Sequence, residues 1–451
     1  MGSELAILGG PKTRTKEFRS RPLVGQEEID LVSSLMRSGN FSKFVGSPID
    51  GTRELLTKKS QECSQQEVGF NFLGGQFVRN FESLWSGITN ADYCISVNSA
   101  TSGLTTALLS LGMAPGSKVV TSPFSFTATS ASIVSAHCVP IFCDIDPETF
   151  CLSPEHLRRL VLEHGIKCIV PVHWCGNAGD LEEICLIAKE NSIFVVEDAA
   201  QAPDTFYKEK ALGTYGDAGV FSFNEPKNLM TGEGGLILTN NVEVAKKCRL
   251  IRNHGEAIVN EDDDLTNIVG YNFRMTEIHA AIAWIQSLNR KKINNFRNNN
   301  YKYLTKKIKE KFSNFLIPQK ITHPESYFSY TAAFRWNKNK AISKKLFAEA
   351  LMAEGIPVFA GYKNLLSDQP LFKKKIAFGS WPFSETNVDY GSMQTDNARN
   401  LLDNEFIGFF QMGWPNTEDD MDDILKAIDK ILTNKDDLID IKLEEDFKLG
   451  R

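Results

Sequence analysis

Histidine is scarce in this sequence, and no two cysteines stand in a C-x-x-C pair. The seven histidines are scattered, and the nine cysteines follow neither a metal-binding nor a disulfide spacing. We therefore expect no metal site. Buried, reduced thiols are the expected state of the cysteines, as in a cytoplasmic protein.

Long apolar runs and an excess of basic residues are also missing. No run is long enough to cross a bilayer, and the first residues lack the basic-then-apolar order of a signal peptide. The formal net charge is −6, which offers no basic surface to nucleic acid. We therefore expect a cytoplasmic protein whose partners are neither membranes nor nucleic acids.

Short β-rich runs alternate with amphipathic helical stretches from residue 93 onwards. The predicted strands are 93–97, 118–121, 139–143, 168–172, 193–196, 219–223 and 235–238. Most are almost continuously apolar, as expected for strands covered by helices on both faces. The alternation predicts an α/β fold with a mostly parallel central sheet. Ligands bind such sheets at the carboxyl ends of the strands.

The 451 residues are enough for a large domain and a smaller one. We predict an N-terminal segment at 1–25, a large domain at 26–290, a small C-terminal domain at 291–434 and a charged tail at 435–451. The tail is expected to fray or to lie on the surface. A polar segment at 46–70 interrupts the large domain and is predicted to be a long loop or an inserted helix.

Two predicted strands are followed by small and hydroxyl-bearing residues. The sequence NSATSG at 98–103 opens a helical run, where free N–H groups and the helix dipole suit a phosphate; an ordinary Ser/Thr cap is the alternative. The sequence SPFSFTAT at 122–129 places Phe124 and Phe126 after the next strand. An aromatic ring there could stack on a flat cofactor, while core packing is the alternative for either phenylalanine.

An acidic residue ends another predicted strand, in the sequence VVEDAAQ at 195–201. A carboxylate at this position must be paired or solvated, because burying it bare is costly. A pyridoxal-phosphate (PLP) enzyme needs such a carboxylate to keep the pyridine nitrogen protonated. Asp198 would serve this purpose and Gln201 could reach the phenolic oxygen of the ring. A helix-capping role for Asp198 is the alternative.

A lysine follows the strand that ends near residue 223. The sequence is FSFNEPKNL at 221–229, and TGEGG follows at 231–235. A lysine in a partly desolvated pocket loses its proton more easily and can attack an aldehyde. A solvated surface charge is the ordinary alternative for a lysine. The position of Lys227 after a strand favours the catalytic interpretation.

These segments, in this order, resemble the DegT/StrS family of PLP-dependent sugar aminotransferases, which have the aspartate aminotransferase fold. The resemblance runs from about residue 5 to 290 and more thinly to 434. Its most specific segments are EDAAQ at 197–201, SFNEPKNL at 222–229, GEGG at 232–235, RNHG at 252–255 and YNFRM at 271–275. The resemblance implies a large PLP-binding domain with a mostly parallel sheet and a smaller α+β domain.

The resemblance also implies a role for each matching residue. Lys227 would form the Schiff base and shuttle the proton, and Asp198 would pair with the pyridine nitrogen. Gln201 would hold the phenolic oxygen and Phe126 would stack on the ring. The phosphate would be held by Ala100, Thr101 and Ser222, and by Asn272 of the neighbouring subunit, so that the active site requires a homodimer. Ala100 stands where relatives usually carry glycine.

The implied activity is transfer of an amino group, from glutamate, to a keto-sugar that is most often nucleotide-linked. Related sugar dehydratases carry histidine in place of the lysine, so Lys227 favours amination; a non-catalytic regulator would be expected to lack Lys227 or Asp198. The segment 46–70 departs from the family as an insertion. Its polar residues could shape the acceptor cleft, with Lys58 and Lys59 meeting a diphosphate, although a solvated loop is the alternative.

Overall fold

The computed structural model describes residues 4–19, 24–44, 73–257, 266–324, 330–337 and 342–439. The predicted insertion at 46–70, including Lys58 and Lys59, lies outside the described residues. Within these ranges no helix combines the length and the apolar character needed to span a membrane.

A seven-stranded sheet forms the centre of the larger part of the molecule. The strands of residues 93–239 are β1 Tyr93–Val97, β2 Lys118–Thr121, β3 Val139–Phe142, β4 Cys168–Val170, β5 Phe194–Asp198, β6 Phe206–Tyr207, β7 Lys210–Ala211, β8 Ala218–Ser222 and β9 Gly235–Thr239. The central sheet has the order β1-β9-β8-β5-β4-β2-β3, while β6 and β7 form a separate hairpin.

Neighbouring strands of this sheet are parallel, except that β9 runs against both β8 and β1. The carboxyl ends of the other six strands therefore meet at one edge, together with the first residue of β9. The predicted strands are confirmed, with ends that differ by one or two residues.

Thirteen α-helices accompany the strands in the described residues. They are α1 Gln26–Ser38, α2 Gln76–Thr89, α3 Ala100–Ser110, α4 Thr127–Ser135, α5 Pro154–His164, α6 Leu181–Glu190, α7 Val242–Arg252, α8 Glu277–Leu288, α9 Arg290–Lys311, α10 Lys344–Ala353, α11 Pro370–Lys373, α12 Asp396–Asn400 and α13 Glu418–Thr433. The side chains of Ser99, Ser153 and Thr276 cap α3, α5 and α8. Two short strands, β10 Glu256–Ala257 and β11 Thr266–Asn267, form a second hairpin.

A second, antiparallel sheet lies in the C-terminal part of the chain. Its strands are β12 Leu316–Pro318, β13 Ala332–Trp336 and β14 Phe406–Phe409, in that order. Side chains of α9, α10 and α13 share one buried core with this sheet, and Leu5 of the N-terminal segment is part of it. Arg14 fixes the same segment to α13 through Asp420 and Asp423, each at 2.7 Å. The N-terminal segment thus packs with the C-terminal sheet.

The Lys/Asn-rich stretch after α8 is the 22-residue helix α9. One part of the C-terminal region differs from expectation. The charged tail does not lie wholly on the surface: Lys435–Leu438 form a turn of 3-10 helix, and Leu438 is fully buried in the C-terminal core. Its charged neighbours Asp436 and Asp437 stay exposed, so the apolar side chain of Leu438 is buried while their charges remain in water. The domain boundaries at 25, 290 and 434 stay predictions.

Candidate active site

The phosphate-binding turn predicted at 98–103 lies where β1, β9 and β8 meet. Gly235 is paired with Val97 on one side and with Ser222 on the other. A Cβ on Gly235 would lie 2.6–2.7 Å from backbone atoms of Ser99 and Ala100, so only glycine permits this close approach. The strand register therefore brings buried Ser222 to the N-terminus of α3.

The start of α3 carries N–H groups that the helix itself does not use. Ser99 accepts hydrogen bonds from Ser102 N at its hydroxyl and from Gly103 N at its carbonyl. The N–H groups of Ala100 and Thr101 come one turn too early for intrahelical partners. Both residues remain accessible to solvent. Free N–H groups at the start of a helix suit an anion such as a phosphate.

Asp198 is the last residue of β5 and is 5% exposed. Its Oδ2 atom accepts a hydrogen bond from Thr129 Oγ1 at 2.7 Å, and its Oδ1 atom accepts one from Ala200 N at 3.2 Å. Thr129 Oγ1 lies 2.8 Å from Ser125 Oγ. The hydroxyl of Thr129, in the first turn of α4, is itself paired with that of Ser125 and fixes the orientation of the carboxylate. Sequence reasoning missed Thr129, although it stands in the SPFSFTAT segment.

The neighbouring carboxylate, Glu197, has a different environment. It is fully buried, and its Oε2 atom lies 2.7 Å from His173 Nε2. Three backbone N–H groups, those of Gly213, Tyr215 and Gly216, also donate to it, at 2.6–2.8 Å. Both carboxylate oxygens of Glu197 are occupied by these structural contacts. Asp198, in contrast, lies at the strand end with the other predicted site residues.

Gln201 is oriented by a backbone group of the loop after β4. The N–H of Cys175 donates to Gln201 Oε1 at 2.7 Å, so the amide nitrogen faces the other way and is a donor. Cys175 has a left-handed backbone, with φ of 52°, which a non-glycine residue seldom adopts. A side-chain donor of this kind suits a phenolate oxygen. The sequence held no signal that Cys175 would take part.

Lys227 lies in a turn that folds back from the end of β8. Its backbone N–H donates to Asn224 O, and Glu225 N donates to Gly232 O, which closes the turn. Burial lowers the pKa of the Lys227 ammonium to about 8, against the opposing attraction of Asp198. The Nζ atom lies 4.8 Å from the ring centroid of Tyr330. A lysine of this kind is partly a free amine near neutral pH.

Phe124 and Phe126, the two phenylalanines of the segment at 122–129, have opposite surroundings. Phe124 is fully buried and packs against Trp174, Tyr362 and Phe406, so core packing applies to it. Phe126, the residue before α4, is 63% exposed. An exposed ring at the sheet edge that carries Asp198 is available to a planar ligand.

Asn272 is exposed, and the described contacts do not bring it to the other predicted site residues. It forms an isolated bridge with Asn253, while the next residue, Phe273, accepts a hydrogen bond from Asn98 N at 2.8 Å. The RNHG segment is anchored by buried Arg252, whose Nη1 donates to Glu82 at 2.8 Å. The segment of Asn272 is thus fixed beside the turn at 98–103, and Asn272 itself is exposed.

Taken together, the described side chains fit PLP. The start of α3 and Ser222 suit its phosphate, Asp198 its pyridine nitrogen, the Gln201 amide its phenolic oxygen and the amine of Lys227 its aldehyde.

Known proteins share both the sequence pattern and the fold. The model of the DegT/DnrJ/EryC1/StrS aminotransferase family matches residues 55–390. A GDP-perosamine synthase of Caulobacter vibrioides is 35% identical over 212 residues, covering 47% of this chain and 56% of that protein. A putative L-glutamine:3-amino-2,3-dideoxy-scyllo-inosose aminotransferase of Streptoalloteichus tenebrarius is 26% identical and covers 97% and 100% of the two chains.

The fold is also that of solved structures. An aminotransferase from Psychrobacter cryohalolentis superposes with a TM-score of 0.75 at 24% identity, covering 92% of this chain and 99% of that one. With several curated relatives, however, the chain spans only 52–62% of their length. The family match covers most of the chain and includes every residue of the site, and the protein therefore belongs to the DegT/DnrJ/EryC1/StrS aminotransferase family.

Proposed function

We propose that the protein is a PLP-dependent aminotransferase that moves an amino group from glutamate to a keto-sugar, in two half-reactions. The observation that carries the proposal is Lys227: its pKa is lowered to about 8 at a sheet edge that also presents the buried carboxylate of Asp198. A lysine in this position favours amination over the dehydration carried out by histidine-bearing relatives. The family membership supports the same reaction class.

Bound PLP would supply an electron sink that stabilises negative charge at the substrate carbon. Lys227 would hold the aldehyde of the cofactor and, as a free amine, would take up and return a proton at the reacting carbons. Asp198 would keep the pyridine nitrogen protonated, and Gln201 would donate to the phenolic oxygen. Ala100, Thr101 and Ser222 would hold the phosphate, and Phe126 would stack on the ring.

The acceptor that we favour is a nucleotide-linked keto-sugar. The name of the Caulobacter vibrioides relative refers to a GDP-linked amino sugar, whereas that of the Streptoalloteichus tenebrarius relative refers to a ring ketone without a nucleotide. Both acceptors are polyols, so an open cleft with many polar contacts suits either. The name of the latter relative also refers to L-glutamine as donor, which makes glutamine the natural competitor of glutamate in a test.

We further propose a cytoplasmic homodimer with a composite site. Asn272 is exposed in the single chain and is free to approach a second subunit, where it would contact the phosphate. The eight described cysteines are free, and seven of them are buried, which suits a reducing compartment.

The direct test is to purify the protein with PLP, reduce it with borohydride and locate the adduct by mass spectrometry. We expect PLP on Lys227. Lys344 is a matched control within the chain, because burial also lowers its pKa to about 8 while its Nζ donates to the carbonyls of Ala360 and Leu402. An adduct on Lys344, or on no lysine, would overturn the proposal.

The substrates can then be assigned one half-reaction at a time. The cofactor spectrum is followed with glutamate or glutamine alone, and the amine form is next mixed with a panel of nucleotide-linked keto-sugars and cyclic ketones. If the spectrum of the PLP form returns only with nucleotide-linked keto-sugars, the favoured acceptor is supported. If it returns only with cyclic ketones, the favoured acceptor is contradicted.

A further inference from the structure

A tyrosine that precedes a strand of the C-terminal sheet places its ring against the amine of Lys227. Tyr330 stands two residues before β13, yet its ring centroid is 4.8 Å from Lys227 Nζ, whose turn follows β8 of the central sheet. We propose that Tyr330 is a positioning residue, which holds the side chain of Lys227 by the face of its ring. The role in turnover rests on the proposed function, but the contact belongs to the chain without cofactor.

Tyr330 is itself held at both its backbone and its ring. Arg297 of α9 donates from Nη2 to the Tyr330 carbonyl at 2.9 Å. The ring packs edge-on against Phe410, with centroids 5.6 Å apart and an interplanar angle of 70°. Burial raises the pKa of the Tyr330 hydroxyl to about 12, so the phenol is neutral at physiological pH. The ring therefore meets the amine with a fixed face and without a charge of its own.

The ring face of Tyr330 attracts the ammonium of Lys227 without accepting a strong hydrogen bond from it. The π-electrons attract the ammonium form, as the charge of Asp198 also does, and both oppose the effect of burial. Yet the face has no lone pair that would hold the proton of the amine by a strong hydrogen bond. Lys227 can therefore alternate between ammonium and free amine in one position, as proton transfer between substrate carbons requires.

The other ionisable groups around Lys227 also influence its pKa, and they stay unchanged when Tyr330 is replaced. Asp198 raises the pKa of Lys227 by its charge. Burial raises the pKa of the Cys175 thiol, which keeps that group protonated near neutral pH. Replacing Tyr330 leaves all of these groups in place. Loss of the ring should lower the pKa of Lys227, whereas entry of water alone would raise it.

The test measures the pKa of Lys227 in the full-length chain purified without PLP. The rate of acetylation of Lys227 by acetic anhydride is followed against pH by mass spectrometry, for wild type, Tyr330→Phe and Tyr330→Leu. We expect Tyr330→Phe to match wild type, because it keeps the face. Tyr330→Leu should lower the pKa by about 0.5 to 1 unit, which corresponds to a cation–π contact at a partly desolvated site.

A second variant covers the case in which Tyr330→Leu does not fold, as judged by circular dichroism. Tyr330→Trp strengthens the face and should raise the pKa of Lys227. An unchanged or raised pKa in Tyr330→Leu, an equal fall in Tyr330→Phe, or an unchanged pKa in Tyr330→Trp would overturn the proposal. If PLP does not attach to Lys227 but these shifts appear, the proposed function fails and the contact stands.

Discussion

Thr129 and Asp198 are 69 residues apart in the chain, yet the hydroxyl of Thr129 donates to the Asp198 carboxylate across 2.7 Å. Thr129 lies in the first turn of α4, and Asp198 is the last residue of β5. The helix thereby sets the direction of the carboxylate that faces the proposed pyridine nitrogen. The donor from Ala200 N is longer, at 3.2 Å, so Thr129 makes the shorter of the two contacts.

Replacing Thr129 by valine keeps the shape of the side chain and removes the donor. Hydrogen bonds to charged groups contribute about 1.5–3 kcal/mol, so we expect kcat/KM for transamination to fall about 10-fold or more. Thr129→Ser keeps the hydroxyl and should retain most of the activity. Steady-state kinetics of the three proteins check this. Equal activity of Thr129→Val and wild type would show that Asp198 is oriented by other contacts.

Asp198→Asn should fold normally and lose most of its transamination activity. An amide cannot keep the pyridine nitrogen protonated, and the electron sink is weakened accordingly. Asp198→Ala should be worse still, because it also leaves a gap and an unused donor on Thr129. Single-turnover measurements with glutamate report the loss, and near-normal turnover in Asp198→Asn would assign the role to a different acid.

A change at Glu197, one residue earlier, should lower the stability of the protein and leave its activity nearly unchanged. Glu197→Gln places an amide N–H₂ among backbone N–H donors, so at least one buried donor loses its acceptor. We expect about 1–3 kcal/mol lower free energy of unfolding, measured by urea denaturation. Activity per folded molecule should stay close to wild type. A stable but inactive Glu197→Gln protein would move Glu197 from the structural network into the catalytic site.

The composite site predicts recovery of activity in mixed dimers. Lys227→Ala and Asn272→Ala subunits are each impaired alone, but in a mixed dimer one of the two sites has both residues intact. We expect some activity to return when the two proteins are exchanged and then assayed. Two Lys227→Ala preparations, mixed in the same way, are the control. A fully active monomer, seen by light scattering, would contradict the composite site.

Much of the site could be predicted from the sequence because its residues lie at strand ends. The apolar runs indicate the strands, and the residues that follow Val97, Val196 and Phe221 therefore meet at one edge of the sheet. Gln201 was predicted from its position three residues after Asp198, and the structure adds the orientation of its amide by Cys175 N.

Other parts of the site depend on contacts that no local pattern reveals. Tyr330 reaches Lys227 only because the C-terminal sheet packs near the carboxyl edge of the central one, a relation between distant parts of the chain. Cys175 acts through its backbone N–H, which every residue except proline has. The asparagines of α9 are weak helix formers, and packing of its apolar side chains against the C-terminal core overrides that preference.

The lowered pKa of Lys227 also has a consequence for stability, which the cofactor-free protein should reveal. The pKa is about 8 in the folded chain and has its ordinary value of 10.5 in the unfolded chain. Below pH 8 both states are protonated, and the folded state keeps a partly desolvated cation at a cost. Between pH 8 and 10.5 the unfolded state binds more protons, so this cost disappears as the pH rises.

Lys227→Met removes the partly desolvated cation and keeps a long apolar side chain. At pH 7 we expect the variant to be more stable than wild type by about 1–3 kcal/mol, the order that a shift of this size implies. The gain should shrink as the pH rises from 8 and approach zero near pH 10.5. Lys227→Arg keeps the charge and should show no such gain. Urea denaturation at a series of pH values measures the difference between each variant and wild type, which cancels the titration of the remaining groups. If the difference does not change with pH, or Lys227→Met is the less stable protein at pH 7, then Lys227 is not held in a desolvated pocket. Its capacity to act as a free amine near neutral pH would then need another cause.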